Sequence, residues 1–126
     1  MQFVFDIHKY WGYVGIGLNA IAGLYALAAW RWKSLRGKPL WILTIVAESA
    51  ILIQVLLGTI LVAGDDTYRK VVPRFHMFYG FLIFVTIGLL YQYRSQMKGR
   101  VELLYGLGGL FIMGLGIRAV LQVTAG

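Results

Sequence analysis

Two histidines, His8 in "FDIHKYWGYVG" and His76 in "PRFHMFYGFLIF", are the only imidazoles in the chain. Each stands at the threshold of a long apolar run. Neutral imidazole is a common metal ligand, and a histidine pair is an established way of holding the iron of a haem. The same two residues could equally be ordinary polar anchors at a membrane–water boundary. The 126 residues contain no cysteine. That removes disulfides, thiolate metal sites, covalent haem attachment and cysteine nucleophiles together.

Whether the histidines can meet depends on the elements that carry them. Sixty per cent of the residues are hydrophobic and 13% are charged, and the mean hydropathy is +0.73. A soluble domain this small could not cover so much apolar surface, so the composition places the chain in a membrane. Four apolar runs, at about 8–30, 40–63, 75–93 and 101–123, are separated by short polar breaks. Each approaches the ~20 residues that cross a bilayer as a helix, the form that satisfies its own backbone there. Short breaks join antiparallel neighbours, so the expected fold is an all-α integral membrane protein: one domain, residues 1–126, forming an up-down four-helix transmembrane bundle. The stretch "MQFVFDIHKYW" reads as the entry to the first span rather than as a cleaved signal, which would begin basic and end in small residues.

The net charge of +7 is concentrated in the breaks, where topology and anionic lipid account for it better than nucleic acid does. Arg31, Lys33, Arg36, Lys38, Arg94, Lys98 and Arg100 lie on one side; Lys9, Arg69, Lys70 and Arg74 lie on the other. The richer side is expected in the cytoplasm, with both termini outside a plasma membrane. Trp30, Trp32 and Trp41 then belong to an inner aromatic belt, and Tyr10, Trp11 and Tyr13 to an outer one.

In such a bundle the first and third spans are parallel and diagonal, so His8 and His76 share one face of the membrane. Neighbouring axes roughly 8–10 Å apart give a diagonal of roughly 11–14 Å, which suits a flat macrocycle between two imidazoles better than a bare ion. At about 100° per residue, His8, Gly12, Gly15, Asn19, Gly23 and Ala26 share one helix face, and Gly80 lies one turn below His76. Small residues beneath a ligand leave space for a ring; they are also what membrane helices use to pack on one another. Gln54 and Gly58 could line the same cavity. Arg118, with Arg74 or Lys9, could pair with haem propionates, although an arginine so near a span end can also simply reach the interface. Glu48, at mid-span, is a functional candidate without an assigned role.

The segment "IQVLLGTILVAG…VPRFHMFYG" resembles the haem A synthase family, with Gln54, Leu57 and Gly58 followed by His76, and His8 two spans upstream. The resemblance implies haem near the outer face. The chain has half the family's eight spans and one histidine pair rather than two, so a full synthase reaction does not follow. The expectation is a b-type cytochrome with one haem b on His8 and His76, transferring electrons with other membrane redox subunits or a homodimer partner, and not an enzyme by itself. The alternative is a cofactor-free accessory subunit of a membrane complex, whose Gly106, Gly109 and Gly116 form a smooth stripe for a partner.

Overall fold

The computed structural model describes residues 2–124. Its helices are α1 (Gln2–Arg31), α2 (Lys38–Gly64), α3 (Asp66–Val71), α4 (Arg74–Tyr93) and α5 (Val101–Thr124), with a single 3₁₀ turn at Lys33–Leu35. α1, α2, α4 and α5 are long and apolar enough to cross a membrane. The four-helix arrangement expected from the hydropathy pattern is therefore present. Helix α1 starts earlier than expected, so that His8 lies six residues, or about 9 Å, beyond its first residue.

Local chemistry sets the helix ends. Gly37 has φ 110°, a backbone conformation that side chains resist, and Pro39 stands at the first turn of α2. Arg36 closes α1 by donating from Nε to the Ala29 carbonyl at 2.7 Å and from its terminal nitrogen to Trp30 at 2.7 Å. These are the carbonyls a helix leaves without internal partners. The Asp65 side chain accepts from the Tyr68 amide at 3.1 Å and so caps α3, a helix that the apolar pattern does not announce. Pro73 caps the start of α4.

Helix α1 packs along both α2 and α5, and α4 packs on α5, whereas α2 and α4 touch only lightly. The order around the bundle is α1, α2, α4, α5, which leaves α1 and α4 diagonal. The α1–α5 seam is made by glycine. A Cβ on Gly109 would meet the Gly23 Cα at 3.1 Å and the Asn19 carbonyl at 3.2 Å, and Gly106 and Gly116 are filled by Leu27 and Ile16. The stripe expected to serve an outside partner is thus occupied within the bundle.

The trough expected under His8 is filled as well: Gly12 receives Gln54, Gly15 receives Ile51, and Gly23 receives α5. Across the α1–α2 seam, Trp11 donates to the Ala50 carbonyl at 2.7 Å, and Asn19 to Gly15 at 2.9 Å and Ala47 at 3.1 Å. Outside, the chemistry is inverted relative to a soluble protein. Leu24, Leu56, Phe81 and Tyr91 are exposed, while His8, Asn19, Thr44 and Glu102 are buried. That distribution fits a hydrocarbon surround, where polar groups turn inward and exposure costs apolar groups nothing.

Candidate histidine site

His8 descends from α1 and His76 from the third residue of α4. Their ring centroids are 6.0 Å apart and their planes stand at 88°. Diagonal helices bring them together because each ring projects into the centre, and because α2 and α5 meet that centre with glycine. Gly58 lies under the His8 ring, where a Cβ would come within 3.0 Å of Cε1. Gly116 lines the same space from α5.

The second nitrogen of His76 is engaged. Its Nδ1 lies 2.8 Å from the Ala119 carbonyl. A carbonyl only accepts, so this contact places the proton on Nδ1 and leaves Nε2 as the free lone pair. A metal-binding imidazole is typically oriented in this way by an outer partner. Around His8, Gln54 donates from Nε2 to the His8 carbonyl at 2.6 Å. Two polar atoms here, His8 Nδ1 and Gln54 Oε1, are buried without a partner.

A cavity of about 440 Å³ spreads from the two rings toward the loose α2–α4 seam. This is within the usual range for small-molecule and cofactor sites, and its walls are mainly apolar. His8, His76, Gly12, Gly58, Gly80 and Gln54, all expected at the site, line it. At Gly80 a Cβ would meet nothing within 4 Å, so the open volume is there rather than along α1. Gly15 packs on Ile51 instead of lining the cavity. Arg118 and Arg74 are exposed and do not line it either. Exposure at a helix end is what the long, strongly hydrated side chain favours.

Tyr68, absent from the sequence expectations, closes the end of the cavity. It lies half-buried on α3 and meets the Phe5 ring edge-on at 6.0 Å. Burial pushes its phenol above the usual tyrosine range. The only sequence signal for it is Asp65, a helix-capping residue three positions earlier.

Fold and site together define the class: an all-α, four-span membrane protein with one histidine-walled cavity near one end of the bundle. No family model, curated protein or solved structure matches the chain.

Proposed function

We propose that the protein is a membrane b-type cytochrome holding one haem b between His8 and His76. One observation carries this: the rings already stand 6.0 Å apart, with Nδ1 of His76 tied to a carbonyl. Two metal–nitrogen bonds of about 2 Å, added to the radii of the rings, separate the centroids of facing imidazoles by roughly 6 Å. Among the described residues, no three His, Cys, Asp or Glu side chains gather as a metal site. Two imidazoles leave a bare ion short of ligands, whereas a macrocycle supplies its own four nitrogens. The cavity offers mainly apolar space, open at Gly80, in which a macrocycle could lie.

Bound haem would supply one-electron redox chemistry. The chain's part is to orient His76 through Ala119, seat His8 over Gly58, and keep the surroundings apolar, which together tune the potential. The resemblance of Gln54–Gly58 and His76 to the haem A synthase pattern supports the same chemistry without implying that enzyme's reaction. The charge distribution favours a plasma membrane with the histidine end outside, where a larger redox assembly or a second copy would exchange electrons.

The test is an absorption spectrum of the protein purified in mild detergent from haem-replete cells, oxidised and reduced. A six-coordinate low-spin b-type spectrum, lost in both His8→Ala and His76→Ala, is expected. A folded, colourless wild-type protein would overturn the proposal.

A further inference from the structure

A second, much smaller chamber lies toward the opposite end of the bundle. Its volume is about 10 Å³, and every spanning helix contributes to its wall: Asn19 from α1, Thr44 and Glu48 from α2, Leu90 from α4, and Tyr105 from α5. Volume near one probe sphere admits one water, provided the walls offer it two to four polar partners. Thr44 is 6% exposed, and its Oγ1 is buried without a hydrogen-bond partner. Asn19 is 1% exposed, with its amide nitrogen already committed to two carbonyls.

Glu48 is the chemically active member. It stands ten residues beyond the start of α2, about 15 Å along the axis and so about half-way through a ~30 Å hydrocarbon layer. An intramembrane carboxyl is costly as a bare anion and is ordinarily neutralised, paired or hydrated. The charged and titratable groups facing it are few. Arg94, at the end of α4, is in electrostatic reach of both Glu48 and Tyr105. Its guanidinium rests on the Tyr91 and Trp41 rings at 4.3 and 5.2 Å. Glu102, beyond Tyr105, pairs with Arg36 at 3.4 Å. From α1 the chamber is lined by Asn19 and Ala22, neither of them charged. Toward the histidines, Ile51, 2% exposed, lines the large cavity and Ile112, 0% exposed, lines the chamber, the two belonging to one buried apolar cluster.

We propose that this chamber is a hydrated proton-binding site, in which one water bridges Thr44 Oγ1 and the Glu48 carboxyl and exchanges protons with the bundle end that carries Arg94. Thr44 supplies the orphaned hydroxyl that holds the water, and Glu48 supplies the proton. Tyr105 and Arg94 form the polar route outward. Ile51 and Ile112 keep the water from the histidine cavity. The site stands on its own geometry and does not require haem.

Infrared spectroscopy of the detergent-solubilised protein, in H₂O and after exchange into D₂O across the pH range in which it stays folded, reads Glu48 directly. A protonated carboxyl gives a carbonyl stretch separate from the amide band. The expected result is such a band, moved to lower frequency by D₂O, lost in Glu48→Gln and retained in Glu102→Gln. Thr44→Val, close in shape, should keep the band but displace it, since the bridging partner is gone. Absence of any carboxylic-acid band, its survival in Glu48→Gln, or its indifference to D₂O would each overturn the proposal. An unmoved band in folded Thr44→Val would overturn the water bridge. Circular dichroism establishes the fold of each variant, and Thr44→Val keeps the test decisive even where Glu48→Gln fails to fold.

Discussion

The His8 and His76 imidazoles lie 6.0 Å apart, centroid to centroid, although they hang from helices at opposite corners of the bundle. Each ring is held separately, His76 through the Ala119 carbonyl and His8 against Gly58. Two unlinked imidazoles contribute little cohesion, and His8 Nδ1 is left buried without a partner. Leaving such a group unsatisfied costs about 1–3 kcal/mol. The arrangement therefore carries a stability cost at His8.

Gly80 separates the cavity's role from the fold's. A Cβ there meets nothing, so Gly80→Leu should fill the cavity without disturbing the bundle. Removing a mid-helix glycine should itself stabilise α4 by about 0.5–1 kcal/mol. The expected outcome is an unchanged or raised thermal midpoint for the ligand-free protein, with haem affinity reduced at least about tenfold, or 1.4 kcal/mol. Haem titration and a melting curve on one preparation check both. Full haem binding by the leucine variant would place the ligand elsewhere.

Two glycines on α5 should respond oppositely to an added side chain. Gly109 faces the backbone of α1 at 3.1–3.2 Å, which cannot give way as a side chain tip can, whereas Gly114 faces open space. Gly109→Val should therefore force α1 and α5 apart and cost about 1–3 kcal/mol. Gly114→Ala should be neutral or slightly stabilising. Unfolding from a mild detergent into a denaturing one, followed by circular dichroism, measures the difference. Equal midpoints would show that the α1–α5 seam is not glycine-dependent.

That pair also shows what the chain discloses before it folds. Four spans were legible because apolar runs of about 20 residues have few other destinations. The meeting of His8 with His76 was legible because short loops fix an up-down order and hence a diagonal. Which glycines border a void was not. Gly15, Gly23 and Gly80 look alike along the chain, and only the neighbouring helix decides that the first two are filled and the third is open. Helix α3 and Tyr68 escaped because six mostly polar residues carry no periodicity, and their position rests on the Asp65 cap. The convergence of Asn19, Thr44, Glu48 and Tyr105 needed three helices to be placed at once.

Arg36 and Glu102 are paired, but their removal should not cost the same. Glu102 is 8% exposed and lies 3.4 Å from Arg36, which also serves the Ala29 and Trp30 carbonyls. Arg36→Ala leaves a buried carboxylate and two helix-end carbonyls without their donor, an expected cost of about 3 kcal/mol. Glu102→Gln keeps the shape and a hydrogen-bonding oxygen beside Arg36, so about 1 kcal/mol is expected. The double variant should fall close to Arg36→Ala plus a partial recovery, because the stranded charge is gone. Strict additivity in this double-mutant cycle would mean that the pair is not coupled.

Tyr68 gives a dependence on alkaline pH whose sign is fixed. Burial raises its phenol above the ordinary value of 10.0 in the folded protein. Above about pH 10 the unfolded chain loses this proton while the folded chain keeps it, so the folded state binds more protons there. Stability should therefore fall as pH rises from about 10 to the folded value, and no contribution from this group should vary below it. Tyr68→Phe has no proton to lose, so its stability should decline less steeply over the same interval. Subtracting the two curves cancels the other tyrosines and the lysines, which titrate in both proteins. Because Tyr68 closes the end of the histidine cavity, occupancy should shield it further and carry the end of the decline to higher pH, while its onset near pH 10, set by the unfolded chain, stays put. Parallel curves for the two proteins would show that Tyr68 is as accessible to hydroxide when folded as when unfolded, and that α3 does not cover the cavity in solution.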